Sequence, residues 1–419
     1  MSLSSSSLVL LLLLMGPQRL WCNAAMNSKP NVVFILVDDV GYNDIGYNNR
    51  SQHSSGRILT PNIDRLADSG VKLDNYYVQP ICSPTRGALM TGRYSFRYCL
   101  GGNVIASTAP WAVPNNETFL PQYLKEAGYK TAQYGKWHLG FFKNDSLPMA
   151  RGFDEQSGFY TGAVDHYTHL RVEDSPQGYD WHVNQTFSKE CIGKYSGNLV
   201  RDNAVDYIQR QAKLGEDAPP FFLYLPFQEA HSPYQVDQKY KDMYPHLASK
   251  PETQALAGMI THTDDMVEDI VQALKSTGLY ENTIIIFSSD NGGIGGQDHL
   301  TQAAKPFDDS YIDCNYPFRG QKREIYEGGV RVAGFVHSPL LPDKVRGTTL
   351  HEIVHVTDWV PTIVAATGKV ARWQNLIELG SNLDCAPMPS TLAQSKERKG
   401  SNFSAQCSGA IVLGCDSID

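Results

Sequence analysis

The chain has 419 residues, enough for one large domain or two unequal ones, and 42% of them are hydrophobic, which excludes wholesale disorder. Its formal net charge of −8 argues against a nucleic-acid partner, which a basic face would meet. Twelve histidines would reduce that negative charge in an acidic compartment.

Residues 8–15, LVLLLLLM, form a short apolar run, followed by QRLWCNAA with small residues at Ala24 and Ala25. This predicts a signal peptide over residues 1–25, too short to span a membrane, although no Lys or Arg precedes the run. No later stretch is long and apolar enough to cross a bilayer, so an exported protein without a membrane span is expected. Sequons at Asn49, Asn116, Asn144, Asn184 and Asn402 agree with that route. Eight cysteines less Cys22 in the leader leave seven, and an odd number in an oxidising compartment suggests a free or altered thiol.

NVVFILV (31–37), PFFLYLPF (220–227), TIIIFSS (283–289) and RVAGFVH (331–337) read as buried strands. They are continuous rather than alternating, as in a sheet covered on both faces. Helical segments lie between them. TPNIDRLADSG has Thr60 as a cap, Pro61 at the first position and Gly70 at the end; TFLPQYLKEAG has a similar form. Residues 252–275 are a longer amphipathic stretch ending near Gly278. The alternation predicts an α/β fold with a mainly parallel sheet, without internal repeats or a low-complexity linker.

Active sites in such sheets lie beyond the carboxyl ends of the strands. Asp38 and Asp39 follow the first strand, His231 the second, Asp290 and Asn291 the third. Adjacent aspartates repel unless a cation or a cap neutralises them, and an all-oxygen set suits a hard cation such as Ca²⁺ or Mg²⁺. The competing reading is an ordinary turn. In GKWHLG, Lys136 and His138 would share one face of an extended segment and could bind an anion and move a proton. GQKREIYEGGVRV puts Lys322 near Arg319, Arg323 and Arg331, a basic group that by itself reads as a solvated face. In QPICSPTRGALMTGR (79–93), Pro84 favours a helix start, so Cys82 lies near a helix N-terminus. A reactive thiolate, a disulfide half, a metal ligand and a chemically altered residue all remain open there.

The motifs CSPTRGALMTGR, VDDVGYND, GKWHLG, EAHSPY, SSDNGG and K…EGGVRV together resemble the sulfatase family, within the alkaline-phosphatase-like fold. RGFDEQSGFY, DHYTH and HVTDWVPTI look like its arylsulfatase B branch. The resemblance implies a catalytic domain over residues 26–368, built on a large mixed, mostly parallel sheet between helices. It also implies that Cys82, in C-x-P-x-R with Pro84 and Arg86, is oxidised to Cα-formylglycine by a formylglycine-generating enzyme. Thr85 stands where many members have serine. One Ca²⁺, with Mg²⁺ the lesser alternative, would be held by Asp38, Asp39, Asp290 and Asn291 and would touch the hydrate at residue 82. Arg86 and Lys136 would stabilise that hydrate. His231 and Lys322 would bind sulfate and assist the leaving oxygen, and His138 would take a proton from the second hydroxyl as sulfate is expelled. The implied substrates are aryl sulfates or sulfated sugars of glycosaminoglycans, the branch suggesting N-acetylgalactosamine 4-sulfate. The implied location is the secretory pathway, lysosomal or secreted.

Residues 369–419 depart from the family pattern. They lack its Leu-Asp-Gly-type segment and the alternating strands of its small C-terminal antiparallel domain. A truncated or altered end is expected to expose apolar surface and lower stability and activity, with Cys385, Cys407 and Cys415 prone to non-native disulfides. Two other classes stay in view: a non-catalytic secreted protein that binds sulfated glycans, and a phosphatase or phosphodiesterase of the same superfamily. The latter normally uses Ser or Thr and two zinc ions, so Cys82 and the single oxygen-rich set count against it.

Overall fold

The computed structural model describes residues 29–49, 57–171, 178–294 and 314–368. The expected leader, the segment 369–419 with its three cysteines, and the sequon at Asn402 lie outside the described residues. Among the described residues ten strands form one sheet: β1 (Asn31–Val37), β2 (Val71–Tyr77), β3 (Lys130–Lys136), β4 (Glu155–Phe159), β5 (His182–Val183), β6 (Thr186–Phe187), β7 (Phe221–Pro226), β8 (Thr283–Ser289), β9 (Gly334–His337) and β10 (Thr348–His355). Their order is β10-β2-β9-β8-β1-β7-β3-β4-β5-β6. The centre is parallel, β1 pairing with β7 and β8, and β3 with β7 and β4. RVAGFVH supplies β9, which is shorter than its apolar run and antiparallel to both β8 and β2.

The unbroken apolar run of β1 has a direct cause. Val33, Ile35 and Val37 enter one core and Val32, Phe34 and Leu36 the other, so both faces of the strand are dry. The first core is closed by the helices Ser196–Ala212 and Pro251–Ser276, the second by Cys82–Thr91, Leu120–Glu126 and Trp359–Ala366. The outlying strands β2 and β10 carry partly exposed positions, which hid them from a search for continuous apolar runs.

One expected cap is replaced. The helix Pro61–Ser69 makes no cap bond to the Thr60 side chain. Thr60 Oγ1 instead donates to Asp64 Oδ1 and accepts from the Gly46 amide. The first-turn amides of Asn62 and Ile63 donate to Asp264 of the helix Pro251–Ser276, at 2.7–3.1 Å. A carboxylate from a neighbouring helix thus satisfies the orphan donors that Thr60 leaves open.

Candidate active site

The parallel centre of the sheet sends four chain segments to one rim. Val37 is in register with Ser289, so Asp38 and Asp290 emerge side by side. The ladder continues past the strands: Asp290 N donates to Val37 O, Asp38 N to Glu229 O, and Ala230 N to Asp38 O. Asp39 has φ +60. A left-handed residue breaks the alternation of a strand, so both adjacent carboxylates face the same site. Lys136 ends β3. The preceding Gly135 has φ +123, and a Cβ there would lie 2.1 Å from Pro226 O. Only glycine admits that approach of β7, which seats Lys136 at the rim.

Lys136 and His138 do not share the face of an extended segment, as their spacing suggests. The strand stops at Lys136, and His138 has φ +55. Ser83 Oγ donates to the His138 carbonyl and ties this turn to the Cys82 helix. That helix, Cys82–Thr91, begins at the cysteine itself, so Pro84 is its third residue rather than its first. Lys322 is not on a solvated face. Its side chain is 9% exposed, and its Nζ lies 2.8 Å from Asp39. A Cβ at Gly292 would lie 1.8 Å from Gly328 O, so SSDNGG and EGGVRV can pack together only as bare backbone.

All ten expected site residues converge. Cys82 Sγ donates to Asp38 Oδ1 at 3.5 Å, and Lys136 Nζ lies 2.5 Å from Asp38 Oδ2. Arg86 Nη2 is 2.8 Å from Asp290 Oδ2 and 3.5 Å from Asp38 Oδ2. Asn291 Nδ2 donates to Asp39 Oδ1 at 2.7 Å, and His231 Nε2 is 3.7 Å from Asp39 Oδ2. Sequence reasoning passed over Asn315, whose buried amide bonds Gly293 N, Gly293 O and Gly320 O and so ties the Lys322 segment to the Asp290 strand end. It also passed over Glu229, a fully buried carboxyl pushed up to about 7 by burial. Asn315 stands in none of the motifs, and Glu229, though it opens EAHSPY, carries no signal of burial in its residue type.

The electrostatics separate the groups. Burial raises the Asp38 carboxyl, but Lys136, His231 and Arg86 outweigh it and hold the group well below the usual carboxylate range. Burial and the Asp290 and Asp38 charges push the Cys82 thiol well up and so disfavour the thiolate. Burial, Lys136 and Arg86 hold the His138 imidazole well below 6.5, and its Nδ1 is buried without a hydrogen-bond partner among the described residues.

The donor set fits a divalent, oxygen-seeking cation. Ligand atoms of Asp38, Asp39, Cys82 and Asp290 all lie within 4.8 Å of one another. Asn291 Oδ1, beside them in sequence and bonded through its amide to Asp39, is buried with no partner among the described residues. With only protein cations nearby, burial and Asp38 push the Asp290 carboxyl up to about 7. A hard dication would take up the orphaned oxygen and relieve the crowding of carboxylates.

Comparison with known proteins agrees with this geometry. The family described as Sulfatase matches residues 30–369. Arylsulfatase J of Mus musculus is 40% identical over 360 residues, covering 84% of this chain and 55% of that protein. N-acetylgalactosamine-6-sulfatase of Homo sapiens is 30% identical over 356 residues, covering 81% and 62%. The chain thus spans less than two thirds of these relatives. A crystal structure of Ps i-CgsB in complex with k-i-k-neocarrahexaose superimposes with a TM-score of 0.71 at 32% identity, covering 83% of this chain and 74% of that one. The PsFucS1 sulfatase from Pseudoalteromonas sp. gives 0.65 at 28% identity, covering 88% and 72%. A sheet of this order, a rim of this composition and a family match across most of the sequence lead to one assignment: the chain belongs to the sulfatase family.

Proposed function

We propose that this protein is an exported sulfatase that hydrolyses sulfate esters of sugars, or aryl sulfates, at residue 82. The observation that carries the reading is the setting of Cys82, a buried thiol on the first turn of a helix, beside carboxylates and cations. A thiol that its surroundings keep protonated is a poor nucleophile. The position therefore calls for the altered residue that C-x-P-x-R encodes. As a hydrated Cα-formylglycine, residue 82 would supply a hydroxyl nucleophile and a second hydroxyl through which the bound sulfate is released. A Ca²⁺, with Mg²⁺ the lesser alternative, would be held by Asp38, Asp39, Asp290 and Asn291 and would supply Lewis acidity and a template.

The chain's own groups have separate tasks in this reading. Arg86 and Lys136 set positive charge beside residue 82, where negative charge develops. Lys322 Nζ and His231 Nε2, on the Asp39 side, hold the sulfate oxygens. His231 Nδ1 donates to Ser232 O, and Nε2, on the Asp39 side, would protonate the leaving alcohol. His138, kept neutral by burial and by Lys136 and Arg86, accepts a proton at its unpartnered Nδ1. Relatives named N-acetylgalactosamine-6-sulfatase, and the structural neighbour holding an oligosaccharide, support a sugar substrate. Exposed sequon residues Asn116, Asn144 and Asn184 support maturation in the secretory pathway, as does the leader-like N-terminus.

Mass spectrometry of the peptide containing residue 82 tests the reading, on protein secreted from cells that carry a formylglycine-generating enzyme. An aldehyde is expected, together with hydrolysis of an arylsulfate. Cys82→Ser should stall after one turnover, because a serine sulfate has no second hydroxyl to expel it. Normal multiple turnover by Cys82→Ser, or by an unmodified thiol, would reject the mechanism.

A further inference from the structure

The segment running from Arg319 to Arg331 carries four cations, and three are engaged. Lys322 is bound to Asp39, Arg331 to Asp74 and Glu327, and the Arg319 guanidinium lies 4.1 Å over the Tyr326 ring. The carboxylates of the same segment are engaged too. Glu324 Oε2 accepts from the Gln321 amide, and Glu327 accepts from Tyr77 and Arg331. The fourth cation, Arg323, is exposed, and its guanidinium makes no ion pair with any described residue.

Its backbone is held in a costly conformation at a specific place. Lys322 N donates to Gly293 O, two residues past Asn291, and Arg323 N donates to Pro80 O, two residues before Cys82. The dipeptide therefore bridges the two walls of the site. Arg323 has φ +74, a conformation that glycine adopts freely and a long L side chain rarely does. Strain of this kind persists where surrounding structure enforces it, as at ligand clamps. While Lys322 turns inward onto Asp39, its neighbour Arg323 is exposed, two residues from Ile325, an apolar side chain that is 84% exposed.

We propose that Arg323 determines substrate specificity by binding a second anionic group, sulfate or carboxylate, on the saccharide that presents the scissile sulfate. This rests on the sulfatase reading and narrows its substrate class to polyanionic saccharides. A guanidinium suits either group, since its planar fork pairs with both oxygens at once. In a chain of net charge −8, an exposed cation next to Lys322 also offsets long-range repulsion of such a substrate. The exposed Ile325 offers a surface for the C–H face of a sugar ring.

The test uses the full, matured chain and three probes: a sugar monosulfate, the same sugar disulfated, and the monosulfate linked to a uronate. Arg323→Gly relieves the backbone strain and removes the whole side chain, guanidinium and stem; Arg323→Lys keeps the charge and most of the stem. The wild type should favour one anion-bearing probe over the monosulfate in kcat/KM, and the favoured probe identifies the anion. Arg323→Gly should cut that ratio about tenfold through KM, Arg323→Lys should retain part of it, and high salt should shrink the wild-type preference. Equilibrium binding of a sulfated, uronate-containing octasaccharide is measured alongside. An unchanged ratio, or an unchanged Kd in Arg323→Gly, overturns the proposal. No hydrolysis by the wild type, with a Kd that still depends on Arg323, overturns the sulfatase reading and leaves the anion site standing.

Discussion

Asp38 and Asp39 are neighbours in sequence but anchor two different halves of the site. The Asp38 half is fully dry. Lys136 and Arg86 reach it from β3 and from the Cys82 helix, and none of these three side chains is exposed. The Asp39 half is nearer the surface, with the side chains of Lys322 and His231 each 9% exposed and carried on irregular segments. The inner half thus consists of charges that the protein can tolerate only as a set, because a buried ion without its partner is expensive. In the proposed reading the outer half, being nearer the surface, exchanges its partners with an incoming anion. Residue 82 sits between them, donating to Asp38 and close to the Asp39 oxygens.

The sharpest way to break this division is to remove the inner cation. Lys136→Ala strips Asp38 of its closest partner and takes positive charge from beside residue 82. Breaking a buried pair costs about 3–5 kcal/mol, and losing a charge aimed at the reacting centre costs about 10²–10³-fold in turnover. Urea unfolding and kcat on the same preparation measure both. A variant as stable as the wild type in cation-free buffer, with less than a tenfold loss in kcat, would show that the inner half is not the electrostatic keystone described.

The proposed cation would link the halves, since its expected ligands come from both. Binding to the folded chain alone should stabilise it by about 2.7 kcal/mol at a hundredfold excess over Kd. Thermal unfolding of chelator-treated protein should therefore shift upward on adding Ca²⁺, and Asp290→Ala should abolish the shift. An equal shift in Asp290→Ala would place the ion elsewhere. Lys322→Ala should cost less than the inner change, about 1 kcal/mol of stability, because Asp39 keeps its bond from Asn291. Its main effect should be a rise in KM of about tenfold. A fall in kcat as deep as that of Lys136→Ala would erase the distinction between the halves.

The two halves were also unequally legible in the sequence. A strand apolar on both faces announces itself, so β1, β7 and β8 and the polar residues at their ends could be read directly. Lys322 could not. By composition it belongs to a solvated basic stretch, and only the family resemblance singled it out. Its burial depends on the Gly292 and Gly328 backbones meeting and on Asn315 stapling the segment, contacts that join distant parts of the chain. The geometry at His138 and at Asp39 escaped for a related reason: left-handed residues other than glycine leave no mark in composition. The Thr60 cap failed because an acceptor 204 residues away, Asp264, took its role.

The smallest expected effect discriminates most finely, because it reads the reach of each cation rather than its removal. Burial, followed by Lys136 and Arg86, holds His138 below the ordinary imidazole value of 6.5. As the proposed base, His138 works only when neutral, so the rate should rise as pH increases through its pKa, and that limb should lie on the acid side of 6.5. Lys136→Met keeps an apolar stem in the buried slot and deletes the charge. With less repulsion the imidazolium becomes easier to form, the His138 pKa rises, and the acidic limb moves to higher pH. Lys322→Met removes a cation that the Asp39 carboxylate already neutralises in the other half, so the limb should stay in place. The measurement is kcat/KM against pH for the residual activity of each variant, in saturating Ca²⁺. A limb that ignores Lys136→Met would remove His138 from the role of base. A limb moved as far by Lys322→Met would mean that the halves share one electrostatic field, and that the division between Asp38 and Asp39 is one of exposure alone.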